Sequence, residues 1–219
     1  YTIPDVLGQD KARFANRHTL LIGAGYSAAT VLTALSQLAQ THPQTRVSWA
    51  IRRPGQALSA VQNDPLEARR QLVENVLRLT HQPPPWLEFL GNCVLESLQA
   101  STRITARLRC GDEDITRAAD EFVSLVGYAP DDSIYRQLQV HQCYATFGPM
   151  KLAAALLGQS AADCLTAGAS LGPDTLNNPE PNFFILGAKS YGTNSNFLLQ
   201  TGLRQVEDAY ALLASTSRC

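Results

Sequence analysis

The 219-residue sequence predicts an α/β protein: a Rossmann-like parallel sheet with a βαβαβ unit, then a β-meander, then a tail of different character. Three observations carry that reading. A short apolar run at 18–22 breaks at Gly23-Ala24-Gly25 and opens directly into a helical pattern. Strand-period and helix-period segments alternate as far as the proline-rich "HQPPPW" at 81–86. Beyond it the period shortens to two, the mark of a meander.

The elements follow in order. "YTIPDVLG" is an extended, proline-directed lead-in. His18 to Ile22 is a strand bounded by glycine. From Ser27 to Gln40 the apolar residues Ala28, Val31, Leu32, Leu35 and Leu38 recur at helical spacing, and Thr41-His42-Pro43 stops the helix. Arg46 to Arg53 is a second strand in which Val47, Trp49 and Ile51 alternate with polar or small residues. Strand, helix and strand make a βαβ unit, whose crossover is expected to be right-handed. After a loop at Pro54-Gly55, Asp64-Pro65 reads as an N-cap followed by proline in the first helical position. That helix runs through Leu72, Val73, Val76 and Leu79. "WLEFL" is the third parallel strand, and "CVLESLQA" and "RITARLRC" are two strands of the meander. Asp112 falls in a polar turn, and Glu121 to Tyr128 is the last strand of the block.

From Pro130 the pattern changes. "IYRQLQVHQCYATFGPM" has no clean period, "KLAAALLG" is helical, and "GPDTLNNPEPN" is a long polar loop. "FFILGAKSYG" is expected to end a buried strand in a glycine-rich turn. The last helix has Phe197, Leu198, Val206, Ala209, Leu212 and Leu213 on its inner faces. One strand and two helices cannot close a sheet, so this tail reads as the end of a domain that begins elsewhere. A start at Tyr1, with neither initiator Met nor signal-peptide core, suggests a piece of a longer protein.

Composition narrows the function classes. The chain is 45% hydrophobic and 17% charged, with a net charge of -1 and no run of like charges, which argues against nucleic acid and anionic membrane surfaces as partners. The nearest approach to a membrane span, Lys151 to Ala169, is interrupted by Gln159, Ser160 and Asp163. Cys93, Cys110, Cys143, Cys164 and Cys219 form no Cys-x-x-Cys pair, so they are expected to be reduced thiols in a cytoplasmic protein, most of them small buried hydrophobes. His18, His42, His81 and His141 are scattered, and no metal site is expected.

The chemistry concentrates in Gly23-Ala24-Gly25-Tyr26-Ser27-Ala28. A dinucleotide turn needs a first glycine for the tight bend, a second for close approach of pyrophosphate, and a small third residue so that helix and strand pack together. Ala28 supplies the small residue, and the helix start would turn its N–H groups toward the phosphates. The competing reading is a sharp strand-to-helix corner that holds nothing. Arg52-Arg53 ends the second strand, where a carboxylate would pair with a ribose 2′-hydroxyl; arginine suits a 2′-phosphate. Two solvated charges at a strand end are the alternative. The arginines also count against S-adenosylmethionine.

"LLIGAGYSA", "SWAIRRP", "DEFVSLVGYAPD" and "FFILGAKSYG" occur in the order found in two-dinucleotide-binding flavoproteins. The chain resembles the superfamily of pyridine-nucleotide-disulfide oxidoreductases and flavin-containing monooxygenases. The resemblance implies a lead-in from a missing FAD domain at 1–17, an NAD(P)-binding Rossmann-like domain at 18–130, and a carboxy-terminal remnant of the FAD domain at 131–219. It puts Gly127 on the NADP side, where the chain returns from the inserted domain. It puts Gly187, Lys189, Ser190, Tyr191 and Gly192 on the FAD side. The acid that the family usually carries after the last glycine is absent here. The Cys-x-x-Cys of thioredoxin-reductase-like members is absent too, which makes disulfide reduction an unsuitable activity. "VLGQDKARFANRH" does not reproduce the monooxygenase fingerprint, and no amino-terminal FAD-binding unit is present.

The function implied is an NADPH-binding fragment of an FAD-dependent oxidoreductase, inactive alone, whose parent passes hydride from NADPH to flavin. Its cofactors are NADP and, in the full-length parent, FAD. Its partners are the nicotinamide dinucleotide and the missing amino-terminal FAD domain, with a homodimer left open. The alternative is a non-catalytic nucleotide-binding or interaction module with the same fold. Among Tyr128, Tyr135, Tyr144 and Tyr191, only Tyr191 adjoins the flavin-side turn; the others read as core or interface aromatics. Asp131-Asp132 and Asp112-Glu113-Asp114 read as solvated loops, and no Ser-His-Asp or Cys-His arrangement is legible.

Overall fold

The computed structural model describes residues 3–55, 57–60, 64, 66–158, 171–195 and 197–216. These divide into two compact units, one of the residues before 61 with Leu66–Gly127, the other mainly of the residues from 128 onward. Pro65, Gln159, Ser160, Asp163, Cys164 and Cys219 lie outside the described residues.

The first unit opens with a short helix α1 (Lys11–Phe14), then β1 (His18–Ile22), α2 (Tyr26–Thr41), β2 (Arg46–Ala50), α3 (Glu67–His81) and β3 (Leu87–Leu90). A hairpin system β4 (Cys93–Ala100), β5 (Ile104–Cys110), β6 (Glu113–Ala119) follows, and β7 (Glu121–Ser124) closes the unit. The parallel sheet runs β3-β2-β1-β7, and β4-β5-β6 form a separate antiparallel sheet. Period-two alternation sends each strand's apolar residues to two different layers. Leu21, Val47 and Trp49 pack with Val31, Leu32 and Leu35 of α2 and Val76 and Leu79 of α3. Leu20 and Ala50 face the opposite way, against Ala106, Leu108 and Ala119. Val6 and Phe14, both buried, join the helix-side core.

Several expectations need correction. The helix expected from Asp64-Pro65 begins at Glu67, with Leu66 in the cap position and no side-chain cap bond. β2 and β7 stop at Ala50 and Ser124, short of Arg53 and Tyr128. The meander has a third strand: Glu113 and Asp114 lie on β6 rather than in a loop, because pairing with the central β5 outweighs the weak strand propensity of acids. Cys93 and Cys110 are not free thiols. They face each other across the β4–β5 ladder and form a disulfide. Cys143 is the free cysteine among the described residues, and it is buried.

The second unit contains α4 (Met150–Leu157), short 3₁₀ turns at Pro173–Leu176 and Gly187–Tyr191, and α5 (Leu199–Thr216). Phe183 to Leu186 forms no strand, since no described strand lies beside it to complete a ladder. A small core joins Leu152, Leu156 and Tyr191 with Leu171 and Phe197. The buried stripe of α5 is Thr201, Gly202, Gln205 and Ala209. Val206 and Leu213, expected inside, are 41% and 36% exposed.

Candidate nucleotide-binding site

β1 lies between β2, reached by its own crossover, and β7, to which the chain returns only after β6, so the strand order reverses beside β1. In open α/β sheets that arrangement opens a crevice at the carboxyl ends of the strands. Gly23 to Ala28 occupies that end of β1. The two glycines have different duties. Gly23 has φ of +137°, and a Cβ there would fall on the Leu125 carbonyl, so the bend itself demands glycine. Its N–H donates to the Ala50 carbonyl at 3.1 Å, and Leu125 N–H donates to Ile22 at 2.7 Å, which locks the bend between β2 and β7.

Gly25 is exposed, with an ordinary φ of −91°, and a Cβ built on it meets nothing within 4 Å. It occupies the cap position of α2 without any side-chain cap bond. The first intrahelical bond runs from Ala29 N–H to the Gly25 carbonyl at 3.1 Å. The N–H groups of Tyr26, Ser27 and Ala28 therefore have no partner among the described residues, and they stand at the positive end of a 16-residue helix. Ala28 is fully buried, and Ala24 packs on the same core. Tyr26 and Ser27 are half-buried; the Tyr26 ring lies 6.0 Å from the Arg69 guanidinium carbon.

Arg52 and Arg53 lie just beyond β2, at the same edge of the sheet, and both are exposed. Neither forms an ion pair with another described residue. Gly127 follows β7 at φ +92°, exposed and with open space where a Cβ would stand. Gly23 to Ala28, Arg52, Arg53 and Gly127 thus share one sheet edge. A helix start uncapped by any described residue, an open glycine and two guanidinium groups without a described ion-pair partner suit a polyanionic ligand carrying a pyrophosphate and a further phosphate.

Two residues that shape this edge were not evident from spacing. Trp49 is fully buried, and its indole N–H donates to the Gly23 carbonyl at 2.7 Å, with its ring tilted on Phe89. Asn92 has φ of +57°, a conformation asparagine tolerates, and its N–H donates to the Arg53 carbonyl at 3.0 Å. A strand pattern that alternates apolar and polar residues signalled Trp49 as core, not as a buried donor.

A polar chain crosses the face of the parallel sheet that meets β6. Ser48 Oγ–H donates to Glu88 at 2.7 Å, which leaves the hydroxyl oxygen to accept from His18 Nε2–H at 2.9 Å. Arg117 donates to both Glu88 oxygens. Those hydrogen bonds hold the Glu88 carboxyl below its usual range against the opposing effect of burial, and Ser48 adds to them. Burial, then the charge of Arg103, pushes His18 below its usual value. Ser48 is only 1% exposed, so this set ties the two sheets together rather than meeting a substrate.

The residues expected on a flavin side come together in the second unit's Gly187–Tyr191 turn. Gly187, at φ +71°, donates its N–H to Gln205 Oε1 at 2.7 Å. Ser190 is fully buried and bonds Gly187 and Gln205. Lys189 Nζ donates to the Asp131 carbonyl at 2.7 Å and lies 5.6 Å from the Tyr135 ring. Tyr191 is buried edge-on against Phe197, and a Cβ on Gly192 would strike the Thr146 carbonyl. Tyr128 and Tyr144 are exposed, while Tyr135 is buried with its phenol pushed up by burial and by Asp132. Among the described residues no group of three or more His, Cys, Asp or Glu could hold a metal, and no helix is long and apolar enough to cross a membrane.

No protein-family profile and no curated protein sequence matches the chain. Solved structures do. Bacillithiol disulfide reductase Bdr from Bacillus cereus superposes with a TM-score of 0.59 at 18% identity, over 93% of this chain and 51% of its own. The bacillithiol disulfide reductase of Staphylococcus aureus gives 0.61 at 15% identity, over 92% of this chain and 52% of its own. Thioredoxin reductase from Lactococcus lactis gives 0.54 at 15% identity, over 94% and 56%. The likeness is one of fold, and this chain spans about half the length of each of these structures.

Proposed function

We propose that this chain, which carries the fold of two-dinucleotide-binding flavoprotein reductases, binds NADPH at the carboxyl edge of its parallel sheet as part of an FAD-dependent oxidoreductase. The observation that carries the reading is the pairing, on one edge, of the open Gly25 and uncapped α2 start with the exposed Arg52-Arg53. The pyrophosphate lies over Gly25 and accepts from the N–H groups of the first α2 turn, aided by the helix dipole. Arg52 and Arg53 take the 2′-phosphate. Gly127 leaves room for the dinucleotide where β7 ends.

When bound, the nicotinamide supplies a hydride for a flavin; no side chain at this edge is asked to act as an acid or base. The chain's residues bind and orient. The boundaries at 17 and 130, the FAD-side role of Gly187 to Gly192, and hydride delivery to flavin in a longer polypeptide are part of the same proposal.

Calorimetric titration of the chain with NADPH and NADH tests it. One charge-assisted contact is worth about 1.5–3 kcal/mol, so NADPH is expected to bind at least about tenfold tighter. The double variant Arg52→Ala/Arg53→Ala is expected to erase the difference and leave NADH binding intact. Equal affinities in the wild-type chain would refute the assignment of the arginines, and no binding of either nucleotide would refute the site.

A further inference from the structure

We propose that the Cys93–Cys110 disulfide is a specificity determinant of the nucleotide edge: it braces the loop that presents Arg52 and Arg53, and its reduction by a dithiol lowers the preference for NADPH over NADH. The inference rests on the NADPH reading above, but its structural half stands without it.

The brace is continuous. β2 ends at Ala50, and from there the chain is held by the segment that leads from β3 to β4. Ile51 N–H donates to Leu90 at 2.9 Å, and Cys93 N–H donates back to Ile51 at 2.8 Å. Asn92 N–H donates to the Arg53 carbonyl at 3.0 Å, while the Asn92 carbonyl accepts from Gly111 N–H at 2.9 Å. Gly91 packs beneath the loop, since a Cβ on it would lie 3.6 Å from Gly55 N and 3.9 Å from the Arg53 carbonyl. Asn92 is therefore a relay, bonded through its own backbone to the arginine loop on one side and to the β5 end on the other.

The disulfide joins the residues on either side of that relay, Cys93 after Asn92 and Cys110 before Gly111. It forms the terminal rung of the β4–β5 ladder, with only the Gly111 N–H to Asn92 bond beyond it on that side and Glu113 paired to Cys110 on the other. Asn92 at φ +57° and Gly111 at φ +61° both hold left-handed conformations. A terminal rung next to two such residues opens first when its crosslink is lost. Arg52 and Arg53, which form no ion pair with another described residue, depend on their backbone for position.

Cys110 is half-buried and Cys93 is 5% exposed, so an attacking thiolate meets the Cys110 sulfur first. The thiolate of a small dithiol bonds to Cys110 Sγ, the S–S bond breaks, and Cys93 leaves as a thiolate that takes a proton. The second thiol of the reagent then displaces Cys110 as a thiol. The dithiol departs oxidised to its cyclic disulfide, and two cysteine thiols remain.

The test uses the full chain, oxidised or treated with dithiothreitol, with free thiols counted in each state. Amide hydrogen exchange without nucleotide is expected to rise severalfold on reduction in peptides covering 51–55 and 91–93, with α2 and β1 unchanged. Titration with NADPH and NADH is expected to show the NADPH-to-NADH affinity ratio falling about fivefold on reduction and returning on reoxidation. Cys110→Ser is expected to hold the reduced ratio whatever the reagent. Unchanged exchange in 51–55, Cys93 and Cys110 both still free after oxidant, or a ratio indifferent to redox state would each overturn the inference. Failure of the oxidised chain to bind either nucleotide would instead refute the NADPH reading, and the exchange measurement would still decide whether the brace exists.

Discussion

Gly25→Val separates a binding turn from a structural corner. Gly25 has φ of −91° and ψ of 179°, both open to valine, and its Cβ would meet nothing within 4 Å. The folded chain therefore has no steric objection. What stability it loses comes from putting valine at the α2 cap, about 1 kcal/mol. Binding suffers far more, because the branched side chain fills the space over the Tyr26, Ser27 and Ala28 N–H groups. Two charge-assisted hydrogen bonds to a pyrophosphate are together worth about 3–6 kcal/mol, or a loss of at least about 150-fold in affinity. Gly23→Ala is the opposite case: a methyl on the Leu125 carbonyl at φ +137° damages the fold itself. Calorimetry with NADPH, beside thermal unfolding of both variants, reads the contrast. A folded Gly25→Val chain with wild-type affinity would refute the reasoning and leave the turn a mere corner.

Trp49→Phe keeps a ring beside Phe89 but orphans the Gly23 carbonyl; a stability loss of about 1–3 kcal/mol is expected by urea denaturation, and no loss would deny the indole bond its role. The Thr19 hydroxyl is buried without a partner among the described residues, so Thr19→Val is expected to stabilise by about 1 kcal/mol in the same assay. Acid should weaken the fold in two stages. His18 is depressed, so the unfolded chain binds its proton first and stability falls as pH drops below about 6.5. Glu88 is depressed too, so its contribution is whole above the unfolded carboxylate value near ~4.3 and is lost as pH falls through the folded value. Melting temperatures from pH 7 to 3 check this, and Glu88→Gln should shrink the lower stage, which Asp120, held down by its bond from the His18 N–H, shares; a flat profile would contradict both assignments.

The geometry of the candidate edge was legible in the sequence because local rules build it. A strand, a glycine turn and a helix are neighbours in the chain, and β2 brings Arg52-Arg53 to the same edge through one crossover. What escaped depends on long-range pairing. Cys93 and Cys110 meet because β4 and β5 are in register, not because of their spacing. β6 carries Glu113, Asp114 and Arg117 and reads as a polar turn until β5 is placed beside it. On α5 the side chain chosen for burial is Gln205, which satisfies Gly187 N–H and Ser190, while Val206 faces outward; hydrophobicity alone ranks those two the other way. Phe183 to Leu186 has strand composition, but no described strand lies beside it.

The most direct test of the central claim is a titration of isotope-labelled chain with NADPH, followed by amide resonances. The account predicts that Tyr26, Ser27 and Ala28 shift together with Arg52 and Arg53, all with one dissociation constant. NADH should reproduce the shifts of the turn but not those of the arginines. Shifts confined to other parts of the chain, or none at saturating NADPH, would contradict it.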